Sequence, residues 1–405
     1  MSRLAELIEE LCPDGVEYRP LGEIADLQRG SGMPKKLFVD EGIPAIHYGH
    51  IFMKYGIHTK CAAAYLAPED ADKLTRVYPG DLVVANTSEN LEDVGKGVVW
   101  LGEAEGVTGG HATVVRSKTV DSVFLSYFLR TEDFALKKRK YSQGTKVVEL
   151  SAANLSKIHI PVPPLVVQRE IVRILDQFTT LEAELEAELE ARRAQYEHYR
   201  NHLLSYESLS SRGPVEMVKL GDIASIQRGR RFTLDQLGGA GCPAIHYGQI
   251  YTHYGVSTTS VLSYIEESFS SSLRFAFPGD IIVAGVGETV EDVGIGVAWL
   301  GTDAVAYHDD SFALHHDQDP RYLSYWLRSD EYHRQKRSFV SQGKVKRLSA
   351  KGLAAVKMPL PDLSEQRRIA DLLDRFDALV NDITSGLPAE IAARRAQYEH
   401  YRDRL

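Results

Sequence analysis

The sequence predicts an α/β (α+β) domain in tandem duplication. Each copy is followed by a long coiled-coil helix, and the two helices pair antiparallel so that a pseudo-twofold axis relates the copies. Three observations predict this: a long internal repeat, buried-strand patterns inside each copy, and a heptad seam closing each copy.

The repeat covers nearly the whole chain. LGEIADLQRG (21–30) pairs with LGDIASIQRG (220–229), PAIHYG (44–49) recurs at 243–248, PGD (79–81) at 278–280 and EDVG (92–95) at 291–294, each 199 residues on. LSYFLR (125–130) and IPVPP (160–164) pair with LSYWLR (323–328) and MPLPD (358–362), 198 residues on. The decamer ARRAQYEHYR (191–200) returns unchanged at 393–402, the second copy having gained residues at TSGLP (384–388). This period is too long for a solenoid and describes two domain-plus-helix units.

Within each copy the elements follow in order. A short N-terminal helix opens the chain. DLVVAN (81–86) and DIIVAG (280–285) follow Pro-Gly turns and read as buried strands, while Gly95, Gly97, Gly102, Gly106, Gly109 and Gly110 punctuate further strands. SVFLSYFLR (122–130) and RYLSYWLR (321–328) read as amphipathic helices. The Pro-rich exit IPVPPL then leads into a helix predicted from near Gln168 to Leu204. Its seam is Ile171, Leu175, Phe178, Glu182, Leu185, Leu189, Arg192, Tyr196, Tyr199 and Leu203, with Glu182 and Arg192 as polar interruptions. In the second copy Ile369, Leu373, Phe376, Val380 and Ile383 begin the same seam, and Ile391, Tyr398 and Leu405 resume it. Gly386 and Pro388 interrupt that helix, with Ser385 expected to cap its restart. The expected partition is 1–165 (first domain), 166–206 (central helix), 207–216 (linker, within YESLSSRGP), 217–362 (second domain) and 363–405 (distal helix, interrupted near 385–388).

Composition bounds the function. At 405 residues, 43% hydrophobic and 25% charged, the chain has the make-up of a globular protein with more than one core. It has no run of 18 apolar residues, so no membrane span is expected, and the acidic N-terminus lacks a signal-peptide pattern. Cys12, Cys61 and Cys242 are odd in number and far apart, which points to a reducing, cytoplasmic setting. The net charge of −9 is segregated. Glu182, Glu184, Glu186, Glu188 and Glu190 crowd the long helix, whereas Lys137, Lys138, Arg139, Lys140 and Lys146 crowd a stretch of the domain. Charges act locally, so the patches matter more than the sum.

The motifs of nucleotide, serine-hydrolase and zinc-protease sites are missing. Asp81 and Asp93, with their counterparts Asp280 and Asp292, read as turn residues. His47 and His50 could suggest metal ligands, but the second copy has Gln249 in place of the second histidine, so no metal site and no catalytic residue is expected. What recurs is Arg, Lys, Gln, Tyr and His on glycine-bearing loops. In the first copy these are Gln28, Arg29, Lys35, Lys36, His47, Tyr48, Lys54, Lys138, Arg139, Gln143 and Lys146. In the second they are Gln227, Arg228, Arg230, Arg231, His246, Tyr247, Arg337, Gln342, Lys344 and Lys346. Gln and Arg can read adenine and guanine edges bidentately, while Lys holds phosphates. Two such heads on a spacer predict double-stranded DNA with a bipartite target.

The duplicated domain, the exits IPVPPLVVQREIVRILDQF and MPLPDLSEQRRIADLLDRF, and the helix GLPAEIAARRAQYEHYRDRL resemble the specificity subunit of type I restriction–modification systems. The resemblance implies two target-recognition domains on a non-catalytic chain that binds no cofactor of its own. It implies two adenine methyltransferase subunits that supply S-adenosylmethionine and methylate one adenine per half-site, and restriction subunits that use ATP and Mg. Because the copies share long stretches, related half-sites are expected, with divergence at 108–117 against 307–316 and at 31–40 against 230–239. A stand-alone DNA-binding regulator and a coiled-coil scaffold without a DNA role are the alternatives.

Overall fold

A computed structural model describes residues 3–233, 236–238, 240–381 and 385–404. The chain forms two compact units, Met1–Glu186 with Ile391–Leu405, and Ala187–Glu390.

In the first unit, short runs of β-branched residues bounded by Gly and Pro make two five-stranded sheets. One has the order Ala25–Arg29, Ala112–Ser117, Leu82–Ala85, Gly97–Trp100, His58–Thr59. The other has the order Phe38–Val39, Tyr65–Leu66, Ile43–Ile46, Gly106–Thr108, Thr75–Val77. In each sheet one pair is parallel and the rest antiparallel. The central strand Leu82–Ala85 is buried throughout, as its unbroken apolar run predicts. A two-stranded ribbon, Tyr18–Pro20 against His159–Pro161, closes the domain. The second unit repeats the plan. Its sheets run Ser225–Arg228, Ser311–His315, Ile281–Ala284, Gly296–Trp299, Ser257–Thr258 and Leu237–Gly238, Ser263–Ile265, Cys242–Ile245, Val305–Tyr307, Phe275–Ala276, and its ribbon pairs Glu216–Lys219 with Lys357–Leu360.

Two glycine positions shared by the copies have a packing reason. Trp100 folds back and its Nε1 donates to the Ala104 carbonyl at 2.8 Å, as Trp299 does to Asp303 at 2.7 Å. A Cβ on Gly102 or Gly301 would lie 2.1 or 2.2 Å from that indole. Gly95 and Gly294, which end EDVG, have φ of 81° and 84°, the left-handed region glycine favours.

The helices expected to be amphipathic form at Ser122–Phe128 and Pro320–Trp326, capped by Asp121 and Asp319, but are buried on all sides, with Phe124–Phe128 and Tyr322–Trp326 each buried throughout. The long helix spans Leu165–Leu203, starting three residues before the expected Gln168. Pro164 supplies the reason: its carbonyl accepts the N–H groups of Val167 and Gln168, so the helix begins directly after the Pro-rich exit. The distal helix runs Leu363–Asn381 and restarts as Leu387–Arg402. The Gly386 carbonyl accepts the N–H groups of Ala389 and Glu390 in the first turn of the restart. Ile383, Thr384 and Leu405 lie outside the described residues, as do 234, 235 and 239 in the divergent stretch. The expected linker is helical in its first half, Tyr206–Ser210, because Ser205 caps it and Leu209 is buried.

Long helices meet antiparallel inside each unit. In the first, Phe178 stacks on Tyr401 and Arg395 pairs with Glu182 and Glu186. In the second, Tyr199 stacks on Phe376 and the Tyr196 hydroxyl donates to Asp377 at 3.0 Å. Each domain therefore packs against the decamer belonging to the other copy. The Asp403 carboxylate accepts the N–H of Glu132, and the Asn201 side-chain carbonyl that of Asp330, so the segment ending each decamer helix meets the first turn of the equivalent domain helix, Glu132–Arg139 or Asp330–Lys336. The cysteines are free, and among the described residues no helix is long and apolar enough to cross a membrane.

Candidate nucleic-acid interface

The shared PAIHYG segment builds the same corner in both domains. The chain leaves a buried strand (Ile43–Ile46, Cys242–Ile245) and turns into a helix of six residues, Tyr48–Met53 or Tyr247–Thr252. The histidine between them caps that helix. His47 Nδ1 accepts the Gly49 N–H at 3.1 Å, and His246 Nδ1 accepts the Gly248 N–H at 3.3 Å. Because Nδ1 accepts, a neutral ring carries its proton on Nε2 and is a donor there. Burial pushes both imidazoles down to about 4, helped by the neighbouring His50 and His308 respectively. Both rings are thus neutral donors at physiological pH.

Each corner borders a cleft. In the second domain a cleft of about 470 Å³ is lined by Arg228, Arg231, His246, Tyr247, His308 and Arg347 beside Asp309 and Asp310. In the first, a cleft of about 360 Å³ is lined by Lys35, His47, Tyr48, Met53, Asn90 and Asp93 among others. Arg29 and Arg228 end equivalent edge strands, and each braces the turn opposite. Arg29 Nε donates to the Gly110 carbonyl at 3.1 Å, and Arg228 Nε donates to that of Asp309 at 2.6 Å. Next to them, Gln28 accepts from Arg116 at 2.8 Å and Gln227 from the Tyr307 hydroxyl at 3.1 Å, leaving the side-chain amides as donors.

The remaining predicted residues divide by exposure. Lys35, Lys36, Lys54, Arg139, Gln143, Lys146, Arg230, Arg231, Arg337, Gln342 and Lys344 are exposed, and Lys346 is half-buried on a strand edge. Lys138 belongs to neither cleft. It is only 3% exposed, and its Nζ donates to the carbonyls of Glu92 at 2.9 Å and Val94 at 2.7 Å. Burial pushes its ammonium down to about 8. Lys138 is therefore corrected from a DNA contact to an internal brace for the EDVG turn. Lys336 does the same with Glu291 and Val293 in the second copy. The signal was helical spacing: Lys138 lies four residues after buried Phe134, and Lys336 four after buried Tyr332.

Asp81 accepts from the Tyr78 N–H at 2.9 Å and from Arg116 at 3.1 Å, and Asp280 from Phe277 at 2.6 Å and from His315 at 2.8 Å. Both are turn residues, as their Pro-Gly context suggests, and Asp81 is also ion-paired with Arg116. His308, Asp309 and Asp310 bring ligand atoms within 4.8 Å of one another, but Arg228 and Arg347 already face the two carboxylates. Residues the sequence reading missed are Glu149, Asp309, Asp310 and Arg347. The reversal of charge between Glu149 and Arg347 was visible once the copies were aligned.

The model of the type I restriction modification DNA specificity domain matches residues 13–191 and again 213–393. The chain belongs to this family. It is a non-catalytic DNA specificity subunit of a type I restriction–modification system, with two target-recognition domains. A putative type I restriction enzyme specificity subunit of Haemophilus influenzae is 28% identical over 406 residues, spanning 96% of this chain and 95% of that one. The EcoR124I/EcoR124II specificity subunit of Escherichia coli is 33% identical over 273 residues, 62% of this chain and 64% of that one. Among solved structures, one of a type I restriction–modification system, titled for complex assembly and conformational transition, aligns with a TM-score of 0.65 at 18% identity, over 96% of this chain and 97% of that one. The HsdS subunit of Thermoanaerobacter tengcongensis aligns at 0.52 and 16%, over 96% of each chain. The specificity subunit thus has, in each recognition domain, a cleft beside the equivalent helix corner.

Proposed function

We propose that each cleft reads one half of a bipartite double-stranded DNA target, and that the long helices serve as spacer and as docking surface for two adenine methyltransferase subunits. The observation that carries this reading is the paired corner: His47 with Arg29, and His246 with Arg228, hold equivalent places in both domains. Neutral imidazole Nε2–H groups and side-chain amides of Gln28 and Gln227 offer donors to base-edge acceptors. Exposed Lys35, Lys36, Lys54, Arg139, Lys146, Arg230, Arg231, Arg337 and Lys344 supply phosphate contacts, with Tyr48, Tyr247, Gln143, Gln342 and Lys346 at the margins.

In this reading the functional partition is 1–165 and 217–362 for the two readers, 166–206 and 363–405 for the helices, and 207–216 for the linker. S-adenosylmethionine, ATP and Mg belong to the methyltransferase and restriction subunits, and the complex works in the cytoplasm. The test is coexpression with the cognate methyltransferase, followed by mapping of N6-methyladenine. A bipartite motif with one methylated adenine in each half is the expected result. A chain that copurifies with no methyltransferase and confers no adenine methylation would refute the reading.

A further inference from the structure

The two domains share a backbone around the edge-strand arginine, but the carboxylate facing that arginine has changed sides. In the first domain Arg29 pairs with Glu149 at 3.2 Å. Glu149 lies opposite Thr87 in its strand pair, and the matching position opposite Val286 is Arg347. There the acid comes from the turn instead: Arg228 lies 3.8 Å from Asp309 and 3.7 Å from Asp310, and Arg347 pairs with Asp310 at 3.2 Å. The turn positions are equivalent too. The carbonyl of His111 accepts from Asn86, and that of Asp310 from Gly285, at 2.8 Å in both domains.

Stability does not account for this exchange. All three arginines are more than half exposed, and ion pairs at such sites contribute little. What the exchange alters is the set of groups beside the helix corner: in the first domain His111 packs against Tyr48 with ring centroids 5.0 Å apart, and in the second Arg228, Asp309, Asp310 and Arg347 line the cleft itself. The first domain presents a carboxylate at 149 and an imidazole at 111; the second presents a guanidinium at 347 and carboxylates at 309 and 310. A carboxylate only accepts hydrogen bonds and a guanidinium only donates them. The former matches the amino group of cytosine or adenine, the latter O6 and N7 of guanine.

We infer that residues 149 and 347, with the facing turns 110–111 and 309–310, are specificity-determining positions at which the two half-sites differ, while His47 and His246 read a feature the half-sites share. This rests on the DNA-reading role proposed above. The test transplants the second arrangement into the first domain as the triple variant G110D/H111D/E149R, coexpressed with the cognate methyltransferase. The turn has room for it, since a Cβ on Gly110 would meet nothing closer than 3.6 Å. Methylation mapping should show new bases in the first half-site only, with methylation of the original motif reduced roughly tenfold or more. The reciprocal variant D309G/D310H/R347E should change the second half-site only, and decides the matter if the first variant melts early. An unchanged motif, or equal weakening on every sequence as for a phosphate contact, overturns the assignment. So does loss of all methylation by variants that melt like the wild type. If the wild type itself confers no bipartite adenine methylation, the functional reading fails instead.

Discussion

The side-chain carbonyl of Gln168 accepts the backbone N–H of Asp121 at 2.7 Å, and its amide donates to the Pro163 carbonyl at 2.7 Å. Gln366 makes the same two bonds, to Asp319 at 3.1 Å and Pro361 at 2.8 Å. One fully buried glutamine thus locks the first turn of each long helix to the cap of a domain helix. That lock fixes the direction in which the long helix leaves the domain.

Gln168→Leu keeps the volume and deletes both bonds, leaving a buried N–H and a buried carbonyl without partners. Each orphaned group costs about 1–3 kcal/mol, so the variant should lose roughly 2–5 kcal/mol in urea denaturation. A loss below about 1 kcal/mol would mean the lock does not bear on stability.

The stack of Phe178 on Tyr401, with ring centroids 5.4 Å apart and planes 26° apart, joins the central long helix to the distal one. Neither ring is fully buried, so the specific aromatic coupling is the quantity to isolate. A double-mutant cycle of Phe178→Ala and Tyr401→Ala should give about 0.5–1.5 kcal/mol of coupling. The cycle on Tyr199 and Phe376, whose rings stand 5.6 Å apart at 25°, should give a similar value. Additive single effects in both cycles would show that the stacks are incidental.

The duplication was legible from identical segments at a nearly constant offset, and the strands and the helical seam because each rests on periodic burial, which a sequence records directly. Val83 and Val84 read as core and are core. The boundary at Pro164 was harder, since the three residues between the strand ending at Pro161 and the helix starting at Leu165 leave no apolar period to read. The exchange of decamers between the copies follows from the antiparallel pairing that the two seams predict, although nothing local in either decamer marks which domain it closes. Among candidate site residues, the KKRK run misled. Four adjacent cations look like one exposed patch, yet a helix turns 100° per residue and sends Lys138 inward beside Phe134. Position 149 was overlooked for the opposite reason: an isolated Glu gains meaning only from the Arg347 that replaces it.

The inward lysines give the protein a pH signature. Lys336 is 0% exposed, and burial pushes its ammonium down to about 7, against the opposing pull of Glu291 and Asp292. In the unfolded chain the same group titrates near 10.5. Between those values the unfolded state binds more protons than the folded one, so stability rises with pH across that window. Tyrosines such as Tyr332, raised by burial, act in the opposite sense only above pH 10, so the rise is clearest between pH 7 and 9. Lys336→Met removes the titration and leaves the carbonyls of Glu291 and Val293 without their donor. The variant should be roughly 1–3 kcal/mol less stable than the wild type at pH 9. That gap should narrow toward pH 6.5, because as pH falls the wild type loses the Lys336 contribution in addition to that of Lys138, which both proteins share. Urea melts at pH 6.5, 7.5 and 8.5 check this, and a gap that stays constant or widens on acidification would mean that Lys336 keeps its charge inside the fold.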